Sequence, residues 1–139
     1  MSVAPNDSGP PFAIGPITRT DIVRYAGASG DFNPIHHDEP FAQSAGLPSV
    51  MAHGMLSAGI LASFVTRWFG PGSVRRYKVR FRERVWPGDV LHAEGRVSRV
   101  LDGAGELRAE LELTLRRQDG QPVAIGTAEV VCMGDGRKT

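Results

Sequence analysis

Between Ala28 and Asp38 the chain reads Ala-Ser-Gly-Asp-Phe-Asn-Pro-Ile-His-His-Asp, which places a carboxylate (Asp31), a carboxamide (Asn33) and an imidazole (His36) within six positions. A carboxylate accepts a proton, and an imidazole accepts or donates one near neutral pH, so Asp31 and His36 can hold one water between them. That pairing suits the addition of water across a polarised double bond. Taken singly, Asp31 and Asn33 equally suit Asx turns, in which the side chain accepts from the backbone two residues on. Their joint spacing with His36 is what sets the segment apart.

A second group follows at Ala52-His53-Gly54-Met55, where a long apolar segment begins. A helix starting there exposes unpaired amides and the positive end of its dipole, both favourable to a developing negative oxygen. Gly54 has no side chain to obstruct approach, so its amide, or the one just beyond, can polarise a carbonyl such as that of a thioester. The same glycine also suits close packing of helix on sheet. His36, His37, His53, Asp31 and Asp38 carry metal-ligand chemistry, but the adjacent histidines lack helical ligand spacing, and no metal is expected. Arg76, Lys78, Arg80, Arg82 and Arg84 recur at every second position. They form a solvated cationic face that can also meet the phosphates of coenzyme A or an acidic carrier protein. Cys132, in an apolar run, reads as core filling.

The elements that must position these groups are legible from period and punctuation. Thr18 and Thr20 are candidate N-caps for a two-turn helix over Asp21, Ile22, Val23, Tyr25 and Ala26, ending within Gly27 to Gly30. Asp31 to Asp38 is expected as a loop, with Asn33 biased away from helix by Pro34. Asp38 can cap a short helix that closes at Gly46. From His53 to Phe69 the apolar residues cover most of a helical circumference and Arg67 is the only charge, which predicts a helix buried nearly all round. The remainder predicts four strands at period two, Val74 to Trp86, Val90 to Leu101, Leu107 to Arg117 and Pro122 to Met133. Turns at Pro87-Gly88-Asp89, Asp102-Gly103-Ala104-Gly105 and Asp119-Gly120 separate them. One apolar helix followed by a meander of one-faced strands predicts an α+β protein, a single hot-dog fold with an antiparallel sheet wrapped around a long buried central helix. Sheet edges need protection, so pairing of two subunits is expected.

Length and composition bound the rest. The chain has 139 residues, 41% hydrophobic and 22% charged, the balance of one globular domain. Residues 1–11 are expected as a flexible tail, 12–133 as the folded domain and 134–139 as a second tail. Lys+Arg at 16 against Asp+Glu at 15 excludes nucleic-acid recognition by bulk charge. A single cysteine builds no intramolecular disulfide framework, and Met1 to Pro11 does not read as a secretory signal, so a reducing, cytoplasmic location is expected. Gly54 to Gly70 falls short of the roughly 20 apolar residues that span a bilayer, and no membrane insertion is expected.

Gly30-Asp31-Phe32-Asn33-Pro34-Ile35-His36 followed by His53-Gly54-Met55 resembles the signature of the MaoC-like (R)-specific enoyl-thioester hydratases and (3R)-hydroxyacyl-thioester dehydratases. Within that family the chain is most similar to the short single-hot-dog dehydratase subunits of mycolic-acid elongation, through Asp31 to Glu39, Gly46 to Met55 and Tyr77 to Phe81. The resemblance covers roughly residues 17–131. It implies reversible hydration of trans-2-enoyl thioesters of coenzyme A or acyl carrier protein, in fatty-acid metabolism, with no metal or redox cofactor. It implies Asp31 and His36 as the catalytic pair and Asn33, His53, Gly54, Met55 and Ser57 as substrate contacts, Asn33 also supporting the loop and the Gly54 amide polarising the thioester carbonyl. It implies a homodimer, or a heterodimer with a second hot-dog chain. Two other functions compete: an acyl-thioester-binding subunit without activity of its own, and an acyl thioesterase. The second is disfavoured because Gly54 to Gly70 contains no Asp or Glu.

Overall fold

A computed structural model describes residues 2–103 and 105–132. In chain order the elements are β1 (Phe12–Ile14), α1 (Arg19–Ser29), a 3-10 turn (Pro34–His36), α2 (Glu39–Ser44), α3 (Gly54–Phe69), β2 (Val74–Phe81), β3 (Leu91–Gly103), β4 (Glu106–Arg117) and β5 (Pro122–Val131). The strands form one five-stranded sheet in the order β1-β3-β4-β5-β2, every neighbouring pair antiparallel. This is the hot-dog arrangement: α3 lies across one face of the sheet.

Period-two alternation decides which face meets the helix. Ala109, Leu111, Leu113 and Leu115 of β4 are buried, and with Leu91 and Val97 of β3 and Val130 of β5 they pack on Leu61, Phe64 and Val65 of α3. The Tyr77 hydroxyl donates to the Ala58 carbonyl at 2.7 Å and ties β2 to the middle of α3. Burial pushes that phenol up to about 12.

Four expectations are corrected. First, residues 2–11 do not form a free tail. The Asn6 amide donates to the Val97 carbonyl, the Val97 amide to that of Asp7 and the Gly9 amide to that of Gly95, at 2.8, 2.8 and 3.0 Å. The segment thus runs along the outer edge of β3 and supplies the ladder partners that β1 is too short to give. A Cβ on Gly9 would stand 2.4 Å from Phe64 Cζ, so only glycine lets this strap lie over the Phe64 and Trp68 rings. Second, α1 has three turns rather than two. Thr18 and Asp21 form a capping box at its start, and the small residues Gly27, Ala28 and Ser29 continue the helix until Gly30 adopts φ 73°. Third, α3 is buried only on its sheet side: Met55, Gly59, Ser63 and Arg67 line an exposed face, because a single five-stranded sheet wraps only half of a helix. Fourth, the strand from Val74 ends at Phe81 instead of Trp86, since the Arg82 and Glu83 amides both turn to the one Val123 carbonyl and residues 82–90 leave the ladder. The expected 134–139 tail lies outside the described residues. Among the described residues no helix is long and apolar enough to cross a membrane.

Candidate active site

Consecutive side chain to backbone hydrogen bonds shape the loop after α1. Ser29 Oγ accepts from the Asp31 amide at 3.2 Å, Asp31 Oδ1 from the Asn33 amide at 3.2 Å and Asn33 Oδ1 from the Ile35 amide at 3.1 Å. The last of these caps the 3-10 turn that Pro34 opens and His36 closes. The turn is pinned to the chain ahead of α3 by the Met51 amide, which donates to the Ile35 carbonyl at 3.1 Å. The Ala52 amide donates in turn to the Val85 carbonyl at 2.9 Å, so the segment that leaves the sheet after β2 packs beside the chain ahead of α3.

This scaffold brings Asp31 and His36 together. Asp31 Oδ2 lies 3.8 Å from His36 Nε2, with the carboxylate 53% exposed and the imidazole 7%. His36 Nδ1 sits 2.6 Å from the Met51 carbonyl oxygen, which can only accept, so Nδ1 carries the proton of that bond and Nε2 is turned to Asp31. At this separation the two atoms are too far apart for a direct bond and close enough for one bridging water.

The remaining expected contacts divide. Gly54 opens α3, whose first turn has no side-chain cap, and it lines a cavity of about 400 Å³ with Met51, Ser57, Phe81, Arg82 and Arg84. Ser57 is buried at that cavity's wall. Met55 is 61% exposed beside it, on the uncovered face of α3. Asn33 spends its side-chain oxygen on the Ile35 amide and so holds the loop. His53 was expected to meet substrate, but it is only 2% exposed, stacked behind His36 with ring centroids 3.7 Å apart. Helix entry from the Ala52 side directs this ring inward. Two contributors escaped the sequence reading, the Met51 carbonyl and Tyr25, whose ring stands edge-on to His53 at 4.9 Å. A backbone carbonyl leaves no signature in residue types, and Tyr25 read as one more apolar position of α1.

Asp31, His36 and His53 also place one ligand atom each within 4.8 Å of one another, a donor set with the chemistry to hold a metal ion. The two imidazole planes are only 22° from parallel, however, so their in-plane lone pairs run side by side and do not converge on one point. His37 donates to the Phe32 carbonyl and Asp38 caps α2, so neither joins the cluster.

A hot-dog sheet with an Asp/His pair on the loop after α1, packed against the chain that leads into its central helix, defines a class, and the comparisons with known proteins agree. The model of the MaoC like domain matches residues 9–115. The chain belongs to the MaoC-like domain family. It is 39% identical over 79 residues to an (R)-specific enoyl-CoA hydratase of Rhodospirillum rubrum, covering 55% of each protein. It is 46% identical over 77 residues to 3-hydroxyacyl-thioester dehydratase X of Mycobacterium tuberculosis, covering 55% of this chain and 26% of that protein. The chain therefore spans about half, or less, of the length of these curated relatives. The R-hydratase PhaJ1 of Pseudomonas aeruginosa in its unliganded form superimposes with a TM-score of 0.86 at 27% identity, covering 96% of this chain and 84% of that one.

Proposed function

We propose that this chain hydrates trans-2-enoyl thioesters to (3R)-hydroxyacyl thioesters and catalyses the reverse dehydration, with Asp31 and His36 as its catalytic residues. The observation that carries this reading is the 3.8 Å gap between Asp31 Oδ2 and a His36 Nε2 whose ring is oriented by the Met51 carbonyl. A water held in that gap forms a bond from its oxygen to the β carbon of the enoyl group and gives one proton to the pair. The electron pair displaced from the double bond moves onto the thioester oxygen, where the Gly54 amide at the start of α3 stabilises it. A proton from the pair then bonds to the α carbon, so the elements of water are added and the pair is restored. The names of the Rhodospirillum and Mycobacterium relatives support both directions of this reaction.

Two surfaces extend the reading to the rest of the substrate. An apolar groove of about 510 Å³ between the β1–α1 connection, α1 and α3, lined by Ile17, Tyr25, Ala28, Leu56 and Ile60, would take the acyl chain. Arg82 and Arg84 at the Gly54 cavity would meet the phosphates of coenzyme A or of a carrier protein's prosthetic arm. The working unit would be a homodimer. One sheet edge is covered by the chain's own residues 6–9, while among the described residues β2 has a neighbour on one side only and the face of α3 bearing Met55 is exposed. Mass measurement of the purified protein should give twice the chain mass, and a lone monomer that gains activity only with a second hot-dog chain would establish a heterodimer instead.

The test of the reaction is loss of conjugated-enoyl absorbance from short and long trans-2-enoyl-CoA, with chiral analysis of the product. A (3R) alcohol is expected. A folded dimer that turns over neither coenzyme A nor carrier-protein thioesters would refute the assignment and favour a binding role.

A further inference from the structure

His53 is poorly explained by the helix it begins. It occupies the N-cap of α3, a position where Ser, Thr, Asp or Asn would satisfy a first-turn amide, yet its side chain makes no cap bond. The ring instead points back to the catalytic loop. Its Nε2 lies 3.0 Å from the Asp31 carbonyl oxygen, which can only accept, so Nε2 donates. One flat face covers the His36 ring at 3.7 Å, and Tyr25 of α1 packs edge-on at 4.9 Å. The other nitrogen, Nδ1, is buried with no partner among the described residues, an arrangement that costs stability. A residue that forgoes a helix cap and buries an unpaired nitrogen is held there by what its ring does for its neighbours.

We infer that His53 is a positioning residue for the hydration proposed above: it clamps the backbone of Asp31 by a hydrogen bond and the plane of His36 by stacking, and thereby sets the gap in which the water is held. Asp31 needs this restraint because its side chain is exposed and its own loop bonds run only to Ser29 and Asn33. His36 needs it because the single Met51 bond holds only the Nδ1 edge of its ring, and the stacked His53 ring backs its flat face. His53 does both jobs from behind, without reaching the substrate.

Two substitutions separate the parts of the clamp. His53→Phe keeps a ring against His36 and removes the donor to Asp31. His53→Gln keeps a donor near the place of Nε2 and removes the ring. Each is assayed for kcat and KM on a trans-2-enoyl-CoA, and the His36 ring is followed in ¹⁵N-labelled protein, where only four histidines contribute in the wild type. His53→Phe should lower kcat about 10- to 100-fold, the scale of a displacement of about 1 Å in a reacting group, with KM within about threefold and a changed His36 ring signal. His53→Gln should recover part of that kcat. A raised KM with unchanged kcat would mean that His53 binds substrate and would overturn the inference. So would wild-type kcat and an unchanged His36 signal in His53→Phe, or a His53→Gln protein no better than His53→Phe. Wild-type protein inactive on every thioester would sink the hydration reading itself, and the His36 ring signal in the two variants would still decide whether the clamp exists.

Discussion

Replacing Asp31 by Asn changes one atom of the site and leaves the loop its bonds. Asp31 Oδ1, which accepts from the Asn33 amide at 3.2 Å, becomes the amide oxygen and keeps that role. Oδ2, the atom 3.8 Å from His36 Nε2, becomes an NH₂ that can only donate. In the wild type, one water making bonds of about 2.8 Å to both atoms across 3.8 Å subtends about 85°. That is within about 20° of water's own angle, so each bond bends by only about 10°. In Asp31→Asn one of the two acceptors is lost, and the water can no longer be oriented and deprotonated together. Loss of general-base function costs about 10²- to 10⁴-fold, equivalent to roughly 3–5 kcal/mol in the barrier. The assay is the initial rate of enoyl absorbance loss at saturating trans-2-enoyl-CoA, beside a thermal melt. Because residue 31 is exposed and its loop bond survives, stability should stay within about 0.5 kcal/mol of wild type. A folded Asp31→Asn protein with kcat within about threefold of wild type would refute the reasoning.

Ala28 lines the apolar groove from an exposed position of α1, so Ala28→Trp should fill the groove without disturbing the core. It should lower kcat/KM for a long-chain enoyl thioester about tenfold or more relative to a short one, and equal effects on both would remove the groove from the acyl path. Deleting residues 2–9 removes three backbone bonds to β3, which at about 0.5–1.5 kcal/mol each should cost about 2–4 kcal/mol in urea unfolding; unchanged stability would restore the flexible tail. Burial raises Tyr77 from 10.0 to about 12, so the folded state favours the protonated phenol. The stability this contributes is fully present below pH 10 and is lost as pH rises to about 12. Tyr77→Phe should lose about 1 kcal/mol at neutral pH through the missing bond to Ala58 and show a shallower fall of the urea midpoint between pH 10 and about 12; superimposable alkaline limbs would contradict the assigned cause.

Local rules carried the sequence reading a long way. Alternation at Ala109, Leu111, Leu113 and Leu115 identified the buried face of β4 because a strand's side chains must point to opposite sides. Asp38 was legible as a cap, and Gly46, at φ 87°, as the place where α2 stops, because capping and left-handed turns are properties of single residues and their immediate neighbours. Asp31 and His36 could be paired on paper since a turn-rich segment of six residues cannot carry them far apart.

Tertiary structure decided what no local rule contains. The partner of His36 Nδ1 is the Met51 carbonyl, a group every residue owns, so no residue type could announce it. The inward turn of His53 onto His36 depends on how the start of α3 meets a loop some twenty residues earlier. The N-terminal segment looked free because its Pro, Ser, Asn and Gly residues lack apolar period; its attachment comes from backbone bonds to an edge left open by a three-residue β1. Residue types fix local conformation and which face is buried, whereas the 3.8 Å gap at the site is set where the 31–36 loop meets Met51 and His53, and that meeting is a property of the packed whole.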